Sequence, residues 1–290
     1  MTGRRVLLAT SADYPRLGDD ERLVLPALAA RGIEAEPAIW TDPDVDWSGA
    51  LVVVRSTWDY TRRHAEFIAW TERVTSVATL CNPAAVIRTN TDKRYLAVLE
   101  SAGVPVVPTA WIDRGTTRIL DDLLRERQWP VAVVKPSISA GAQDTVLVTA
   151  DSAAEVQVLA DAIAAERDVM VQPYLRSVEG YGERSLIYLG GEHTHTVRKS
   201  PMLAGARSPD EVEPATPSDD EIALAELALE WVGTELLYAR IDLARLDDGT
   251  PVIMELELTE PRLFLRYADA ADRFAAVIAA AADSADALPR

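Results

Sequence analysis

The stretch that most constrains this chain is LYARIDLARLDDGTPVIMELELTEPRLFL, residues 237–265, near its C-terminal end. Two runs rich in aliphatic residues flank the sequence Asp247-Asp248-Gly249-Thr250, and Asp-Gly between such runs is a strong signal for a β-hairpin. If Asp248 and Gly249 form a two-residue loop, Asp247 faces Thr250. The pairing then continues residue by residue along both strands and determines which side chains meet at the far end.

The predicted pairing sets Asp242 opposite Glu255 and Arg240 opposite Glu257. Side chains two apart on a strand share a face, so all four project together. Three carboxylates on one face repel each other, and a divalent cation would compensate them, because oxygen ligands completed by substrate phosphates are how Mg²⁺ is usually held. The alternative is a solvated face with one Arg–Glu ion pair. We favour the metal site because the acids lie among Ile, Leu, Val and Met.

Length, charge and cysteine content bound the class of protein. A chain of 290 residues is long enough for two or three subdomains. The formal net charge of −17 argues against nucleic acid or an anionic membrane as a main partner, so an anionic ligand needs a locally basic pocket or a metal. The single Cys81 excludes an intrachain disulfide and fits a reducing compartment. Since the sequence shows neither a signal-peptide core nor a membrane-length apolar run, we expect a cytoplasmic protein.

The N-terminal part alternates strand and helix patterns, which predicts βαβ units and a parallel sheet. Strands are predicted at residues 4–10, 33–40 and 50–55, with a helix at 20–31. The dipeptide Asn82-Pro83 begins a connector. We therefore expect one domain over residues 1–85 and another over 86–290.

Ligands of parallel sheets gather beyond the carboxyl ends of the strands, where two loops of this domain lie. The first loop contains Tyr14. The second follows a valine-rich strand, and its candidate substrate-binding residues are Arg55, Ser56, Thr57, Trp58 and Asp59. An arginine there suits the carboxylate of a small zwitterion. A compatible alternative is a helix start capped by Ser56 or Thr57.

Two lysines stand where phosphate binding is plausible. Lys93 falls in the first turn of a predicted helix over residues 92–103, where a cation opposes the helix dipole; by itself it is also compatible with a surface lysine. Lys135 ends a run of valines, where a charge is costly unless it meets an anion. The loop after it, PSISAGAQD, has small residues such as Ser139 and Gly141, whose neighbouring N–H groups can approach phosphate oxygens. It contains neither a Walker loop nor a Rossmann fingerprint.

The segments between this loop and the acidic hairpin add two further features. A predicted strand at residues 169–172 runs into Pro173-Tyr174-Leu175, which offers a carbonyl acceptor and the Leu175 N–H as a donor, a pair that suits an adenine edge. A predicted hairpin turning at Gly190-Gly191 ends in a basic cluster of His195, Arg198 and Lys199. Residues 201–217 lack periodicity and predict a mobile loop, whereas 219–236 and the Ala-rich segment from 270 onward predict helices.

The order of these features resembles the ATP-grasp ligases over essentially the whole chain. The resemblance implies an α/β ATP-grasp fold with an N-terminal parallel α/β domain, a small mobile lid at residues 113–172 and a C-terminal catalytic domain. The roles it implies are binding of ATP by Lys93, Lys135, Ser139, Gly141, Gln172, Pro173, Tyr174, Leu175 and Glu179, binding of Mg²⁺ by Asp242, Glu255 and Glu257, transfer chemistry at His195, Arg198, Lys199 and Arg240, and substrate binding by Glu183 together with Tyr14 and the loop of residues 55–59.

Two positions depart from the family pattern. The final metal ligand of the family is usually Asn in a Glu-x-Asn pattern, whereas this chain has Glu255-Leu-Glu257. A basic residue often found two after the hinge-side acid is Ser185 here. Within the family, the segments VVVRSTWDY, GERSL, HTVRKSP and MELELTEP look most like the branch of the cyclo-ligase that closes O-ureido-serine into cycloserine.

The resemblance implies ATP- and Mg²⁺-dependent activation of a small amino-acid carboxylate as an acyl phosphate, followed by C–N bond formation within the same molecule. Two alternatives stay open: a ligase that joins two molecules, and a module that closes on ATP without turning it over. We expect Asp59 to meet the ammonium group of the substrate and Arg55 its carboxylate or ureido oxygen, whereas His195 either transfers a proton or only lines the site. The expected partner is a small molecule, neither nucleic acid nor membrane, and association into a homo-oligomer is compatible with the sequence.

Overall fold

The computed structural model describes residues 5–200 and 212–286, which form three β-sheets with helices between and around them. The first sheet contains β1 (Val6–Thr10), β2 (Ala35–Ile39), β3 (Leu51–Ser56) and β4 (Thr79–Cys81), all parallel, in the order β2-β1-β3-β4. Every residue of β1 and β3 is buried, which explains why these strands are continuous apolar runs. The predicted parallel α/β domain is confirmed.

Helices α1 (Val24–Ala29) and α2 (His64–Val77) cover this sheet. The helix predicted over residues 20–31 is shorter than expected, because a 3₁₀ turn at Glu21–Leu23 precedes α1. After β4, the predicted connector contains a helix, α3 (Ala84–Asn90). The next helix, α4 (Tyr95–Ser101), begins later than predicted. Lys93 therefore precedes the helix, and the expected conflict with the helix dipole does not arise.

The second sheet spans most of the region predicted as a lid, and we call it the lid sheet. It contains β5 (Ala110–Ile112), β6 (Val131–Pro136), β7 (Val146–Thr149) and β8 (Val169–Pro173), antiparallel in the order β5-β8-β6-β7. Helices α5 (Leu120–Arg127) and α6 (Ala153–Ala164) pack on it through a separate core of aliphatic side chains. The strand predicted over residues 104–111 is reduced to β5, with an isolated bridge from Val106 to Ile253. The exact domain limits stay a prediction.

The third sheet carries the acidic hairpin. Its strands are β9 (Glu183–Leu189), β10 (Glu192–Lys199), β11 (Val212–Ala215), β12 (Tyr238–Arg245) and β13 (Pro251–Glu257), in the order β11-β10-β9-β12-β13. The short α7 (Ser177–Gly180) precedes β9, and α8 (Asp219–Val232) begins with a capping box between Ser218 and Glu221. Residues 201–211 of the predicted mobile loop lie outside the described residues, whereas Val212–Ala215 pairs with β10 and so corrects that prediction.

Helix α9 (Ala270–Asp286) joins the first and third sheets. Phe274 and Ile278 are fully buried in one core with β1, β3, β9 and β10 side chains. The helix predicted for this Ala-rich segment is confirmed. In the part of the chain that the structure covers, no helix is both long and apolar enough to span a membrane.

The acidic hairpin contains the predicted residue pairs, but its loop is longer than predicted and one strand contains a bulge. Its loop has three residues rather than two, since the Leu246 N–H bonds to the Thr250 carbonyl and Gly249 adopts a positive φ of 87°. This shifts the pairing near the loop by one residue, so that Arg245 faces Pro251. Further along, Asp242 faces Glu255 but Leu243 faces Ile253, so β13 contains one extra residue, a bulge, between these pairs. The bulge cancels the shift and returns the strands to the predicted register. The predicted pairs Asp242–Glu255 and Arg240–Glu257 are confirmed.

Candidate active site

A cleft of about 580 Å³ opens between the three sheets. It is walled by the lid sheet on one side, by β12 and β13 on another, and by the loops after β1 and β3 at its outer end. The structure brings most of the predicted site residues together along this cleft: Tyr14, Trp58, Asp59, Lys93, Lys135, Ser139, Gly141, Gln172, Pro173, Tyr174, Leu175, Glu183, Lys199, Arg240, Asp242, Glu255 and Glu257.

Asp242 lies at the centre of the charged floor. Its carboxylate accepts hydrogen bonds from Arg240 Nε and Nη2 at 3.0 and 2.9 Å, from Lys199 Nζ at 2.7 Å and from Ser185 Oγ at 2.6 Å. Although Asp242 is buried, Arg240 and Lys199 hold the pKa of its carboxyl well below the usual range. Ser185, where the family pattern led us to look for a basic residue, instead donates to this carboxylate. Lys199 also pairs with Glu183 at 3.1 Å.

Glu255 and Glu257 flank Asp242 on the same face. Lys93 Nζ lies 3.0 Å from Glu255 Oε1, and Arg240 Nη2 pairs with Glu257 Oε1. Burial, together with the neighbouring Glu255 and Asp242 carboxylates, raises the pKa of Glu257 to about 7 in spite of Arg240. The floor of the cleft thus alternates carboxylates and cations, and carboxylate repulsion is already offset by three basic side chains.

The donor set fits a hard divalent cation such as Mg²⁺. Asp242, Glu255 and Glu257 present only oxygen ligands, and the side chains of Glu255 and Glu257 are 27% and 26% exposed and face the cleft. Within residues 5–200 and 212–286, however, no three acidic, histidine or cysteine side chains converge as a ready metal site. In this arrangement Lys93 and Arg240 are the cations that pair with Glu255 and Glu257.

Lys135 and the loop after β6 form the opposite wall. Burial lowers the pKa of the Lys135 ammonium, and the charge of nearby Lys93 acts in the same direction. Lys93 Nζ donates to the Ser139 carbonyl at 2.7 Å, which ties the loop to the charged floor. Gly141 has a positive φ of 62° in the turn that follows. Two lysines and a small-residue loop therefore face the same space, as phosphate binding requires.

The hinge after β8 closes the inner end of the cleft. Gln172 is buried and donates to Thr109 Oγ1 at 2.9 Å, whereas Pro173, Tyr174 and Leu175 line the cleft. The Tyr174 N–H bonds to the Val131 carbonyl, which fixes the hinge to the lid sheet. Glu179, which the resemblance placed among the ATP-binding residues, is exposed and lies outside the cleft lining.

Several predicted contacts are not made. Arg55 is 1% exposed and lies behind the cleft, where it approaches Glu21 at 3.8 Å and packs over the Tyr238 and Phe274 rings. Ser56 and Thr57 are fully buried, and Ser56 Oγ accepts a hydrogen bond from the Gly18 N–H at 3.0 Å. The predicted contacts of these three side chains with substrate are therefore corrected: β3 continues one residue further than expected and carries them into the core.

Two members of the predicted basic cluster, Arg198 and His195, also lie outside the lining of the cleft. Arg198 donates to the carbonyls of Tyr181 and Gly180 at 2.9 and 2.8 Å. His195 lies 3.0 Å from the Leu263 carbonyl through Nε2, and burial lowers the pKa of its imidazole to about 4. A neutral ring that donates to a carbonyl is not placed to transfer a proton, so the catalytic roles predicted for His195 and Arg198 are corrected. Lys199, one residue on, does face the cleft.

Two of the misassigned residues, Arg55 and His195, share a structural task with Tyr238, Trp58 and Arg240. Five consecutive backbone carbonyls after the hairpin, from Thr259 to Leu263, each face a side-chain donor. The Tyr238 hydroxyl lies 2.8 Å from the first and Trp58 Nε1 3.2 Å from the second. The remaining three donors are Arg55 Nη2 at 2.5 Å, Arg240 Nη1 at 3.1 Å and His195 Nε2 at 3.0 Å, in chain order of the carbonyls. We call residues 259–263 the clamped loop.

The clamped loop presents two side chains that the sequence reasoning missed, Glu260 and Arg262, both of which line the cleft. Arg262 lies over the Trp58 ring, 5.6 Å from its centroid. The available signal was their position, because TEPR directly continues the acidic strand MELEL. Tyr60 and Asn90 also line the cleft and were not predicted.

Comparison with known proteins identifies the family. The model of the D-cycloserine synthetase DcsG N-terminal domain matches residues 6–82. The cycloserine biosynthesis protein DcsG of Streptomyces lavendulae is 35% identical over 289 residues, which covers 94% of this chain and 97% of that protein. The chain belongs to the DcsG family of ATP-grasp ligases.

Solved structures agree with that assignment. The crystal structure of D-cycloserine synthetase DcsG superposes with a TM-score of 0.89 at 33% identity, covering 96% of this chain and 99% of that one. The ATP-grasp ligase PsnB, solved with minimal precursor, Mg and ADP, has a TM-score of 0.62 at 18% identity over 97% of both chains, which shows the shared fold alone. The predicted fold class and the prediction of an ATP-grasp ligase are both confirmed.

Proposed function

We propose that this DcsG-family enzyme uses ATP and Mg²⁺ to phosphorylate the carboxylate of a small amino acid and then closes a ring by forming a C–N bond within that molecule. The observation that carries the proposal is the charged floor, where Asp242, Glu255 and Glu257 alternate with cations below the Lys135 loop. The relative DcsG is a cycloserine biosynthesis protein, which supports a substrate that resembles O-ureido-serine.

In the first step a carboxylate oxygen of the substrate attacks the γ-phosphorus of ATP, and the bond to ADP breaks. When bound by Asp242, Glu255 and Glu257, Mg²⁺ would neutralise the charge of the phosphate oxygens. Lys135 and Lys93 lie where they can hold the nucleotide phosphates. Burial disfavours the charged form of Lys135. A nucleotide phosphate in the cleft would stabilise that ammonium group by supplying an opposite charge.

In the second step a nitrogen of the same molecule attacks the acyl carbon, so that the C–N bond forms as the bond from that carbon to the phosphate oxygen breaks, and the proton lost by the nitrogen leaves with the departing phosphate. Arg240 and Lys199 are held by Asp242, which keeps both cations charged and aimed at the position where the departing phosphate oxygens gather. The protein contributes position and charge, with no covalent intermediate of its own. A tethered nitrogen needs no second binding pocket.

The test is incubation of the purified protein with ATP, Mg²⁺ and O-ureido-serine, followed by ADP quantification and mass spectrometry of the product. Ring closure gives one ADP per cyclised molecule with no added amine. If ADP appears only when a second amine is present, and the product mass equals the sum of two substrates less water, the enzyme is a two-substrate ligase and the ring-closing proposal is wrong.

A further inference from the structure

Glu260 is a cleft carboxylate that the proposed phosphoryl transfer does not use. Its side chain is 8% exposed and faces the cleft. Counting only residues 5–200 and 212–286, no lysine, arginine or histidine forms an ion pair with it, whereas Glu255 and Glu257 each have one such pair and Asp242 has two. The Tyr60 phenol is its hydrogen-bonding neighbour. A buried carboxylate without a cationic partner is costly, so this side chain suits a cationic ligand.

The position of Glu260 is set by its backbone. The Glu260 carbonyl accepts from Trp58 Nε1, and the carbonyl that follows, that of Pro261, accepts from Arg55. Because every carbonyl of the clamped loop accepts such a hydrogen bond, the backbone from which the Glu260 side chain extends is fixed in position. A binding group placed by a rigid support loses little entropy when ligand arrives.

The place of Glu260 in the cleft decides which part of a substrate it meets. Glu257, Lys93 and Glu255, the residues at the phosphoryl-transfer end, line the same cleft and act electrostatically on its carboxyl. In an α-amino acid the nitrogen and the carboxyl carbon share one Cα and lie only about 2.5 Å apart. The ammonium group must therefore bind beside the carboxylate that is phosphorylated, which is where Glu260 lies.

Asp59, the acid that the sequence suggested for the ammonium group, fits less well. Its carboxylate accepts a hydrogen bond from Trp40 Nε1 at 2.9 Å. Its charged neighbours are Asp13 and Arg63, not the residues of the charged floor. Asp59 thus lies on the loop after β3 at the outer end of the cleft, and Trp40 rather than a residue of the charged floor is its hydrogen-bond donor.

We propose that Glu260 binds the α-ammonium group of the amino-acid substrate and so selects substrates with a free primary amine next to the reacting carboxylate. This assignment rests on the proposed function, because it places the reacting carboxylate at the charged floor. Burial raises the pKa of the Glu260 carboxyl to about 8, and an ammonium ion at hydrogen-bonding distance reverses that shift.

The experiment compares two probes, O-ureido-serine and its deamino analogue, in which hydrogen replaces the amino group. The full-length wild type, Glu260→Gln, Asp59→Asn and the control Glu100→Gln, which changes an exposed glutamate outside the cleft, are assayed for ADP release. We expect the wild type to prefer the amino compound by about 10- to 100-fold in kcat/KM, the range for a hydrogen bond to a charged group. Glu260→Gln should abolish most of this preference without changing the KM for ATP, whereas Asp59→Asn and Glu100→Gln should keep it.

A preference that survives in Glu260→Gln overturns the assignment, and one that disappears in Asp59→Asn transfers the role to Asp59. A variant that is merely misfolded would lose rate on both probes equally and keep their ratio, so the ratio is the decisive readout. If the wild type requires a second amine for turnover, the ring-closing proposal fails. The same ratio, measured with that amino acid and its deamino analogue, still decides the role of Glu260.

Discussion

Replacing Asp242 with asparagine tests whether attraction or repulsion dominates the charged floor. Three carboxylates on one strand face suggest that removing one relieves repulsion and stabilises the free protein. The structure predicts the opposite sign. Asp242 is 3% exposed and accepts hydrogen bonds from Arg240, Lys199 and Ser185 at 2.6 to 3.0 Å. Asparagine keeps one acceptor and directs an NH₂ group at buried cations.

The magnitude follows from those contacts. Loss of one partner from a buried ion pair costs about 3–5 kcal/mol, because the remaining charges stay desolvated. Although Asp242 pairs with two cations, the free-energy cost is not doubled, because Lys199 stays paired with Glu183 at 3.1 Å and Arg240 stays paired with Glu257. For a chain of this size such a loss corresponds to a fall in Tm of about 6–20 °C. Mg²⁺-dependent ATP turnover should be lost as well, because Asp242 holds both the transfer cations and a metal-ligand position.

Thermal and urea unfolding of the free protein, followed by circular dichroism, measures the effect. Asp247→Asn is the matched control, since Asp247 is exposed in the hairpin loop and should change stability by less than about 0.5 kcal/mol. The pKa of Asp242 is held below its usual 3.8, so its contribution is complete above that pH and is lost as the pH falls further. The difference in unfolding free energy between the wild type and Asp242→Asn should therefore decrease in acid. A Tm of Asp242→Asn at or above that of the wild type would refute the reasoning.

Three further outcomes are expected. Lys135→Met should weaken ATP binding by about 1.5–3 kcal/mol in calorimetry without destabilising the free protein, because it removes a buried ammonium; unchanged affinity contradicts the phosphate role. Arg55→Ala should lower the free energy of unfolding by about 3–5 kcal/mol in urea titration by leaving Glu21 buried without its cation; a variant of wild-type stability would show that the pair is dispensable. Since burial raises the pKa values of Glu257 and Glu260 to about 7 and 8, the free protein should lose stability as pH rises from about 4.5 to 8, and Glu260→Gln should flatten that slope in melts across the range.

Sequence reasoning succeeded where a local pattern has one structural outcome. The hairpin shows both the strength and the limit of such reasoning. Asp-Gly located the turn, and the register at Asp242 and Glu255 was predicted, but the loop is one residue longer and the bulge in β13 compensates. Alternation along a strand does not reveal a bulge, because the extra residue is absorbed by neighbours in space. The longer loop and the bulge shift the register in opposite directions, so the predicted pairs at the site are correct although the predicted loop is not.

The residues that sequence reasoning misplaced have a common cause. Arg55 and His195 belong to types that often serve catalysis, yet here they donate to the Pro261 and Leu263 carbonyls. A backbone carbonyl is available at every residue and carries no signal in the sequence, so its donor cannot be paired with it before the fold is known. Burial decides the matter for Arg55, because a guanidinium that is 1% exposed can reach acceptors only inside the protein: its Nη2 donates to the Pro261 carbonyl, whereas its Nε and Nη1 have no hydrogen-bond acceptor among the residues that the structure describes.

The donors to the clamped loop connect the two halves of the enzyme. Arg55 and Trp58 come from the end of β3 in the first sheet, whereas Arg240 and His195 come from β12 and β10 in the third. Arg240 also grips Asp242, so one side chain links the loop to the charged floor. A displacement of either sheet therefore moves Glu260 relative to the reacting carboxylate. If Glu260 selects the substrate as we propose, the N-terminal sheet contributes to that selection by supporting the backbone of the clamped loop, in addition to the direct contact that Tyr14, Trp58 and Asp59 of its outer loops make with the cleft.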